Sequence, residues 1–226
     1  MREIVLDTET TGLNPLQGDR IVEIGAVELF NHVATGNVFH AYYNPERDMP
    51  DEAAVVHGLT NAFLADKPVF AESVDAFLAF IGDAPLVIHN APFDMGFLNA
   101  ELARCGFPVL AFARAVDTLA MARQMFPGAP ASLDALCKRF DVDASGRDFH
   151  GALLDARLLA EVYLELRGGR QPDLAIAAVR ETAAVSGETS PRTRRAPRPH
   201  APTEEELAAH KEFLEKIGNP LWLRAS

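Results

Sequence analysis

The spacing of hydrophobic and polar residues over residues 1–169 predicts a domain that begins with strands and continues with alternating helices and strands. The apolar run at 4–6 (IVL) predicts a buried strand, and residues 20–29 predict a second strand with mixed alternation. A third strand is predicted over residues 37–45, reached through a turn at Gly36-Asn37. Three consecutive strands joined by short turns favour an antiparallel meander.

Helical periodicity follows these strands. Apolar residues share one stripe of a helix predicted over 73–83, and a short apolar run at 85–90 precedes a helix predicted over 95–105. The last helix of the domain is predicted over 151–166 and ends at Gly168-Gly169. The other predicted elements are a brief strand at 114–116 and two helices within 114–126 and 132–140. This succession predicts an α/β fold with a mixed sheet.

The composition of the chain changes after residue 176. Residues 177–202 are rich in Pro, Ser, Thr and Arg and lack apolar periodicity, which predicts a flexible linker. A tail helix follows, with a capping box at Thr203 and Glu206 and a stop at Gly218. Its apolar residues are Leu207, Phe213, Leu214, Ile217, Leu221 and Trp222. A helix of about 15 residues is marginal alone in water, so this amphipathic tail is expected to pack on another surface.

Charge and composition narrow the function classes. No run approaches the roughly 18 apolar residues of a membrane span, and Asp7 leaves no room for a signal peptide, so we expect a cytoplasmic chain without a membrane partner. The two cysteines suit reduced thiols rather than a disulfide framework. The net charge of −11 argues against a protein that holds nucleic acid by itself, because such proteins usually carry a basic face.

Two carboxylates stand at the end of the first predicted strand. Asp7 and Glu9 are two residues apart, and alternate residues of a strand share one face. Like charges at this separation repel each other unless a cation lies between them. The pair therefore indicates either a bound cation or two carboxylates that are solvated at a loop mouth.

Three further residues belong with this pair. Asp94 follows the second strong apolar run, at a strand-to-helix turn where the sites of α/β sheets assemble. Asp155 lies on the apolar face of the last predicted helix, where a buried charge requires either a salt bridge to an arginine or a metal ion. His150 comes just before that helix.

Four carboxylates and one histidine on separate elements have a joint chemical interpretation. Carboxylate oxygens suit hard cations such as Mg²⁺ or Mn²⁺. Two such ions would clamp a phosphodiester, one activating water and the other stabilising the leaving oxygen. His150 would take the proton from the attacking water, because histidine accepts protons near neutral pH.

Three short motifs carry a family resemblance. The stretches DTETTG at 7–12, HNAPFD at 89–94 and HGALLDA at 150–156 resemble, in this order, the motifs of the DnaQ-type (DEDDh) 3′→5′ exonucleases. The resemblance covers residues 1–169 and the character of the tail, and it is greatest for the proofreading subunits of bacterial replicative DNA polymerases. It implies a ribonuclease H-like fold, with a mixed five-stranded sheet flanked by helices. It also implies release of nucleoside 5′-monophosphates from a single-stranded or frayed DNA 3′ end.

The same resemblance implies roles for individual residues. It implies two catalytic divalent ions, Mg²⁺ or Mn²⁺, held by the four carboxylates, with His150 as the general base. The metal ligands that it implies are Asp7, Glu9, Asp94 and Asp155. The substrate contacts that it implies are Thr10, Gly12, Leu13, Glu52, His57 and Phe93.

The appended segments predict partners. Gln171, Leu174 and Ile176, within residues 170–176, resemble the short peptide by which bacterial replication proteins dock on the sliding clamp. Relatives use the segment beyond the linker, here 203–226, to bind the catalytic (alpha) subunit of the polymerase. Some relatives have a small third core subunit, and the sequence leaves this partner open. Tethering would offset the acidic charge, because a short linker gives a high effective concentration.

Two alternatives use the same residues. A free-standing exoribonuclease of this superfamily would share every catalytic residue, although the linker and the amphipathic tail argue against it. An inert scaffold that joins polymerase and clamp would need no working site, yet the three motifs are intact. The leading prediction is therefore a proofreading 3′→5′ exodeoxyribonuclease subunit of the bacterial replicative DNA polymerase.

Overall fold

The chain forms two units, Met1–Ile176 and Ala177–Ser226. The computed structural model describes residues 1–146, 149–169 and 201–217. Every helix within these described ranges is too short or too polar to cross a membrane.

A five-stranded sheet forms the centre of the first unit. Its strands are β1 (Arg2–Thr10), β2 (Ile21–Phe30), β3 (Val33–Tyr42), β4 (Leu86–Ile88) and β5 (Ala115–Asp117). They are ordered β3-β2-β1-β4-β5, with antiparallel pairs β1–β2 and β2–β3 and parallel pairs β1–β4 and β4–β5. The predicted mixed sheet is thus confirmed. The central place of β1 follows from its apolar run, because Ile4, Val5 and Leu6 are buried on both faces.

Helices cover both faces of this sheet. They are α1 (Asp51–His57), α2 (Asn61–Leu64), α3 (Phe70–Ile81), α4 (Ala91–Arg104), α5 (Thr118–Met125), α6 (Leu133–Phe140) and α7 (Ala152–Leu166). The sequence pattern predicted α3 to α7 but not α1 and α2. These two have only 7 and 4 residues, so neither is long enough to show a helical repeat.

The turn between β2 and β3 differs from the prediction. The chain reverses at Asn31 and His32, whose φ values of 51° and 66° suit a two-residue hairpin turn. Gly36-Asn37 lies inside β3, beside an irregularity in the β2–β3 register. The predicted turn at Gly36-Asn37 was therefore wrong. Gly36, with φ of 92°, accommodates the irregular stretch of the strand rather than a chain reversal.

Alternation along β1 assigns the two faces of the sheet. Ile4 and Leu6 pack in the core cluster that contains α3 and α4, whereas Val5 packs in the cluster that contains α6 and α7. Asp7 and Glu9 lie two and four residues after Val5, so they point to the α7 side. The alternation of side chains along β1 therefore directs Asp7 and Glu9 toward α7, the helix that carries Asp155.

The start of α7 lies directly on β2 at Gly25. A Cβ atom built at this glycine would lie 2.1 Å from the Leu153 amide nitrogen and 2.2 Å from the Ala152 carbonyl carbon. Gly25 is also the cross-strand partner of Asp7. The missing side chain thus allows backbone-to-backbone packing beside the strand position that carries Asp7.

In the second unit, α8 (Glu204–Lys216) begins at the predicted capping box. Thr203 Oγ1 accepts a hydrogen bond from the Glu206 amide at 3.2 Å, and Glu206 Oε2 accepts one from the Thr203 amide at 2.8 Å. Leu207 and Phe213 are exposed on α8. Leu214 and Ile217 are partly exposed. The predicted clamp peptide Gln171, Leu174 and Ile176, linker residues 177–200, and tail residues Gly218, Leu221 and Trp222 lie outside the described residues.

Candidate active site

A cavity of about 570 Å³ opens at the carboxyl ends of β1 and β4. Its wall combines side chains of β1, α4 and α7 with residues of α5 and of the segment that leads into α6. The carboxylates in this wall are Asp7, Glu9, Asp94, Asp134 and Asp155. Of the described lining residues, Arg123 is the single lysine or arginine. The cavity is therefore strongly acidic.

The predicted pair Asp7 and Glu9 lies on β1 at this cavity. Asp7 is partly exposed, and Glu9 is 9% exposed. The β1–β2 register becomes irregular only after Glu9, between Glu9 and Thr10. The regular pairing up to this point holds both carboxylates on one face, as the sequence spacing predicted.

Asp94 lies one turn inside α4 rather than in the preceding turn, and it is 3% exposed. The Thr8 hydroxyl donates a hydrogen bond of 2.7 Å to Asp94 Oδ1. Burial raises the pKa of Asp94 to about 7, although the hydrogen bond from Thr8 acts in the opposite direction. An ionised Asp94 is therefore costly at neutral pH unless a cation lies beside it.

His150 and Asp155 face each other at the start of α7. His150 Nδ1 and Asp155 Oδ2 are 3.3 Å apart, and the side chains are 47% and 4% exposed, respectively. The His150 amide donates to the Val56 carbonyl at 3.1 Å, which ties the histidine to α1. The backbone of His150 is thus fixed while its ring stays accessible to a substrate in the cavity.

The donor atoms fit divalent cations. One ligand atom each of Glu9, His150 and Asp155 lies within 4.8 Å of the others, an arrangement that can hold a metal ion. Asp7 and Asp94 line the same cavity outside this close group. Carboxylate oxygens prefer hard cations such as Mg²⁺ and Mn²⁺, and the costly charge of buried Asp94 agrees with such a neighbour. The four predicted ligands thus share one cavity with His150, whose ring lies within the close group of donor atoms.

The six predicted substrate contacts are not all at this cavity. Phe93 belongs to its described wall, whereas the other five do not. The Thr10 hydroxyl donates to the Gly12 carbonyl at 2.6 Å, which closes the turn after β1. Leu13 is 84% exposed on the same loop. Glu52 is exposed in the first turn of α1.

His57, another of these predicted contacts, ends α1 and is 6% exposed. The Leu59 amide donates to His57 Nδ1 at 3.1 Å. Burial lowers the pKa of His57, the Thr10 backbone raises it, and the charge of His150 lowers it again. His57 is therefore a neutral ring packed between the turn after β1 and the segment that carries His150.

Thr8 is a site residue that the sequence pattern did not single out. It is 6% exposed, and its hydroxyl holds Asp94 across 86 positions of the chain. Side chains alternate along β1, so Thr8 points to the face opposite Asp7 and Glu9, which is the face that α4 covers. The alternation of side chains along β1 could have identified Thr8, once α4 was known to cover that face of the sheet.

Comparison with known proteins agrees with this geometry. Residues 4–163 match the family model described as Exonuclease. The chain is 55% identical over 222 residues to the DNA polymerase III subunit epsilon of Rickettsia felis, with 96% of this chain and 97% of the relative covered. It is 48% identical over 236 residues to the DNA polymerase III subunit epsilon of Escherichia coli (strain K12), with 98% and 97% covered.

A solved structure of the nuclease domain of 3′hExo, a DEDDh family member bound to rAMP, has the same fold. The TM-score is 0.63 at 19% identity, over 74% of this chain and 92% of that chain. The fold, the three motifs and the acidic cavity thus define an exonuclease of the matched family, a class that implies divalent metal ions at the site. More particularly, the chain belongs to the DNA polymerase III subunit epsilon family. The sequence prediction of a proofreading 3′→5′ exonuclease is thereby confirmed.

Proposed function

We propose that this chain hydrolyses the 3′-terminal phosphodiester of DNA that its polymerase has extended, with two ions of Mg²⁺ or Mn²⁺. The observation that carries this proposal is a single cavity in which His150 lies with four carboxylates from β1, α4 and α7. The residues proposed as ligands are Asp7, Glu9, Asp94 and Asp155. When bound, the ions would activate the attacking water and stabilise the leaving oxygen.

The remaining steps belong to side chains of this chain. Thr8 holds the Asp94 carboxylate in place through the hydrogen bond of 2.7 Å. We assign to His150 the removal of a proton from the attacking water, because its ring is accessible and its backbone is fixed by α1. The new bond joins the water oxygen to phosphorus, and the bond from phosphorus to the 3′ oxygen of the penultimate nucleotide breaks. That oxygen takes up a proton from solvent and becomes the 3′ hydroxyl of the shortened strand. The product is a nucleoside 5′-monophosphate.

The experiment that tests this function follows mononucleotide release from a single-stranded DNA 3′ end by the purified chain. We expect release with Mg²⁺ or Mn²⁺ and none with EDTA, because the proposed step requires both ions. An RNA of the same sequence is the control, and slower release from it is expected of a proofreading enzyme. Absence of release by folded protein with either metal would refute the proposal, and faster cleavage of RNA would favour an exoribonuclease.

The Asp94→Asn variant tests whether the buried Asp94 carboxylate binds a cation. Because its pKa is raised to about 7, the metal-free protein loses stability as pH rises from about 4, the unfolded value, to about 7. Asparagine can keep the Thr8 hydrogen bond without a charge. At pH 8 in EDTA we therefore expect a higher Tm for the variant, equivalent to roughly 2–4 kcal/mol.

The same variant should lose the rise in Tm that Mn²⁺ produces in the wild type. Thermal denaturation in EDTA and in Mn²⁺ measures both effects. Asp75→Asn is the matched control, because Asp75 is exposed on α3 and away from the cavity. If Mn²⁺ stabilises the Asp94 variant as much as the wild type, Asp94 is not a ligand.

We further propose that the tail, residues 203–226, binds the catalytic (alpha) subunit of the polymerase in the cytoplasm. The two relatives described above are named as subunits of DNA polymerase III, and Leu207 and Phe213 expose apolar surface on α8. Replacing both residues by glutamate should abolish co-elution with the purified catalytic subunit while nuclease activity persists. Lys211→Ala, an exposed change on the same helix, is the control. Co-elution of the double variant would place the contact elsewhere.

The segment 170–176 is proposed to bind the sliding clamp through Gln171, Leu174 and Ile176. Its support is the sequence pattern at the end of the nuclease domain. A Gln171→Ala, Leu174→Ala variant should show no binding to immobilised clamp at concentrations where the wild type binds. Equal binding by the two proteins would remove this assignment.

A further inference from the structure

Among the described residues that line the cavity, Arg123 alone has a permanent positive charge. Arg123 lies on α5 and faces a wall with five carboxylates, Asp134 among them, in the described part of the cavity. The chain as a whole has a net charge of −11, so its overall electrostatic field repels a polyanion. A guanidinium in this setting is well suited to meet an anion that enters the cavity.

The residues around Arg123 are held in place by a contact between two elements of the fold. His89 Nδ1 lies 2.9 Å from Thr118 Oγ1, which joins the end of β4 to the start of α5. Burial lowers the pKa of His89, Asp117 and the Ala131 backbone act in the opposite direction, and the charge of Arg123 adds a smaller lowering. His89 is therefore neutral, and the positive charge of this wall belongs to Arg123.

Asn90 stands beside this wall in a conformation that few residues adopt. It has φ of 67° at the start of α4, and its backbone N–H donates to Asp117 Oδ1 at 3.2 Å. Its exposed side chain lines the cavity and makes no capping bond to its helix. Asparagine tolerates this left-handed conformation better than most residues, so the chain can turn here and still present a polar side chain to the cavity.

We propose that Arg123, assisted by Asn90, binds a backbone phosphate of the DNA strand upstream of the terminal nucleotide. This inference rests on the proposed function. The scissile phosphate meets the carboxylates through divalent ions, but an upstream phosphate in the same acidic cavity needs a cation from the protein. Arginine matches phosphate geometry with two parallel hydrogen bonds, and an amide adds a neutral donor.

The test compares Arg123→Gln with the wild type on two substrates. A single-stranded DNA oligonucleotide has upstream phosphates, whereas the p-nitrophenyl ester of thymidine 5′-monophosphate has none. We expect kcat/KM on the oligonucleotide to fall about tenfold, mainly through KM, because a charge-assisted contact is lost. Hydrolysis of the ester should not change. The slope of log kcat/KM against log salt should flatten by about 0.7, the value for one phosphate contact on a single strand.

Arg139→Gln is the matched control. Arg139 is exposed on the neighbouring helix α6, its guanidinium lies over the Phe126 ring, and it does not line the described cavity. The control should keep the wild-type KM and salt slope. Thermal denaturation checks that both variants are folded.

The outcomes separate this inference from the function on which it rests. If the wild type releases no nucleotide from DNA, the proposed function fails. If the wild type is active and Arg123→Gln matches the control on both substrates, the phosphate contact is refuted. An equal loss on both substrates would also refute it, because Arg123 would then act at the terminal nucleotide or on the fold. An oligonucleotide with one uncharged methylphosphonate identifies the phosphate, since Arg123→Gln should have no further effect on that substrate.

Discussion

His150→Gln is expected to lower kcat for mononucleotide release by a factor on the order of 10²–10⁴, the range for loss of a general base. Glutamine has a similar reach but cannot take the proton of the attacking water. The fold should survive, because the His150 side chain is 47% exposed and its structural anchor is the backbone bond to Val56. The measurement is the single-turnover rate with saturating Mn²⁺, together with the Tm of the variant.

A pH profile separates proton transfer from simple positioning. If His150 is the base, the rise in rate that the wild type shows with increasing pH should be absent from the variant. His210→Gln, an exposed histidine on α8, is the matched control and should keep the wild-type rate. A variant within a few-fold of the wild type would show that water or a carboxylate takes the proton instead.

Gly25→Ala is expected to damage stability and activity together. The new Cβ would lie within 2.1–2.3 Å of three backbone atoms of Ala152 and Leu153. Backbone cannot rotate aside as a long side chain can, so α7 must shift away from β2. Overpacking of this kind costs about 1–3 kcal/mol or more. The shift would also move Asp155 on α7 away from β1, where its partners Asp7 and Glu9 lie.

The test of Gly25→Ala measures kcat per folded molecule as well as Tm. A purely structural role would lower Tm and leave the rate of the folded fraction unchanged, whereas displacement of α7 should reduce that rate and weaken stabilisation by Mn²⁺. Gly96→Ala is the matched control, because a Cβ at Gly96 has no neighbour within 4 Å. Wild-type Tm and rate in Gly25→Ala would show that the close contact of α7 with β2 is not required.

Much of the site could be predicted from local patterns. Asp7 and Glu9 share a face because strand side chains alternate, and the short stretch DTETTG at 7–12 is enough to show this spacing. Asp117, a residue type favoured at helix N-termini, caps α5, with Leu119 and Ala120 amides donating to it at 2.9 and 3.3 Å. In contrast, α1 and α2 escaped prediction because each is too short for a hydrophobic repeat.

The turn after β2 shows where local patterns mislead. Gly36-Asn37 has the composition of a hairpin turn, yet Asn31 and His32 make the reversal. Both stretches can adopt positive φ values, and the choice between them depends on how β2 and β3 align their apolar faces. That alignment is a property of the pair of strands, which no single stretch reveals.

By itself, the sequence determined the strands and long helices, the three motifs and the carboxylate chemistry, because hydrophobic repeats and capping depend on residues close together in the chain. Only the tertiary structure decided which residues from distant parts of the chain come together. Thr8 reaches Asp94 over 86 positions, Gly25 touches the start of α7, and Arg123 faces the same cavity as the carboxylates. These contacts depend on how the sheet and helices pack, and the packing of distant segments follows from the complementarity of whole surfaces rather than from any local pattern.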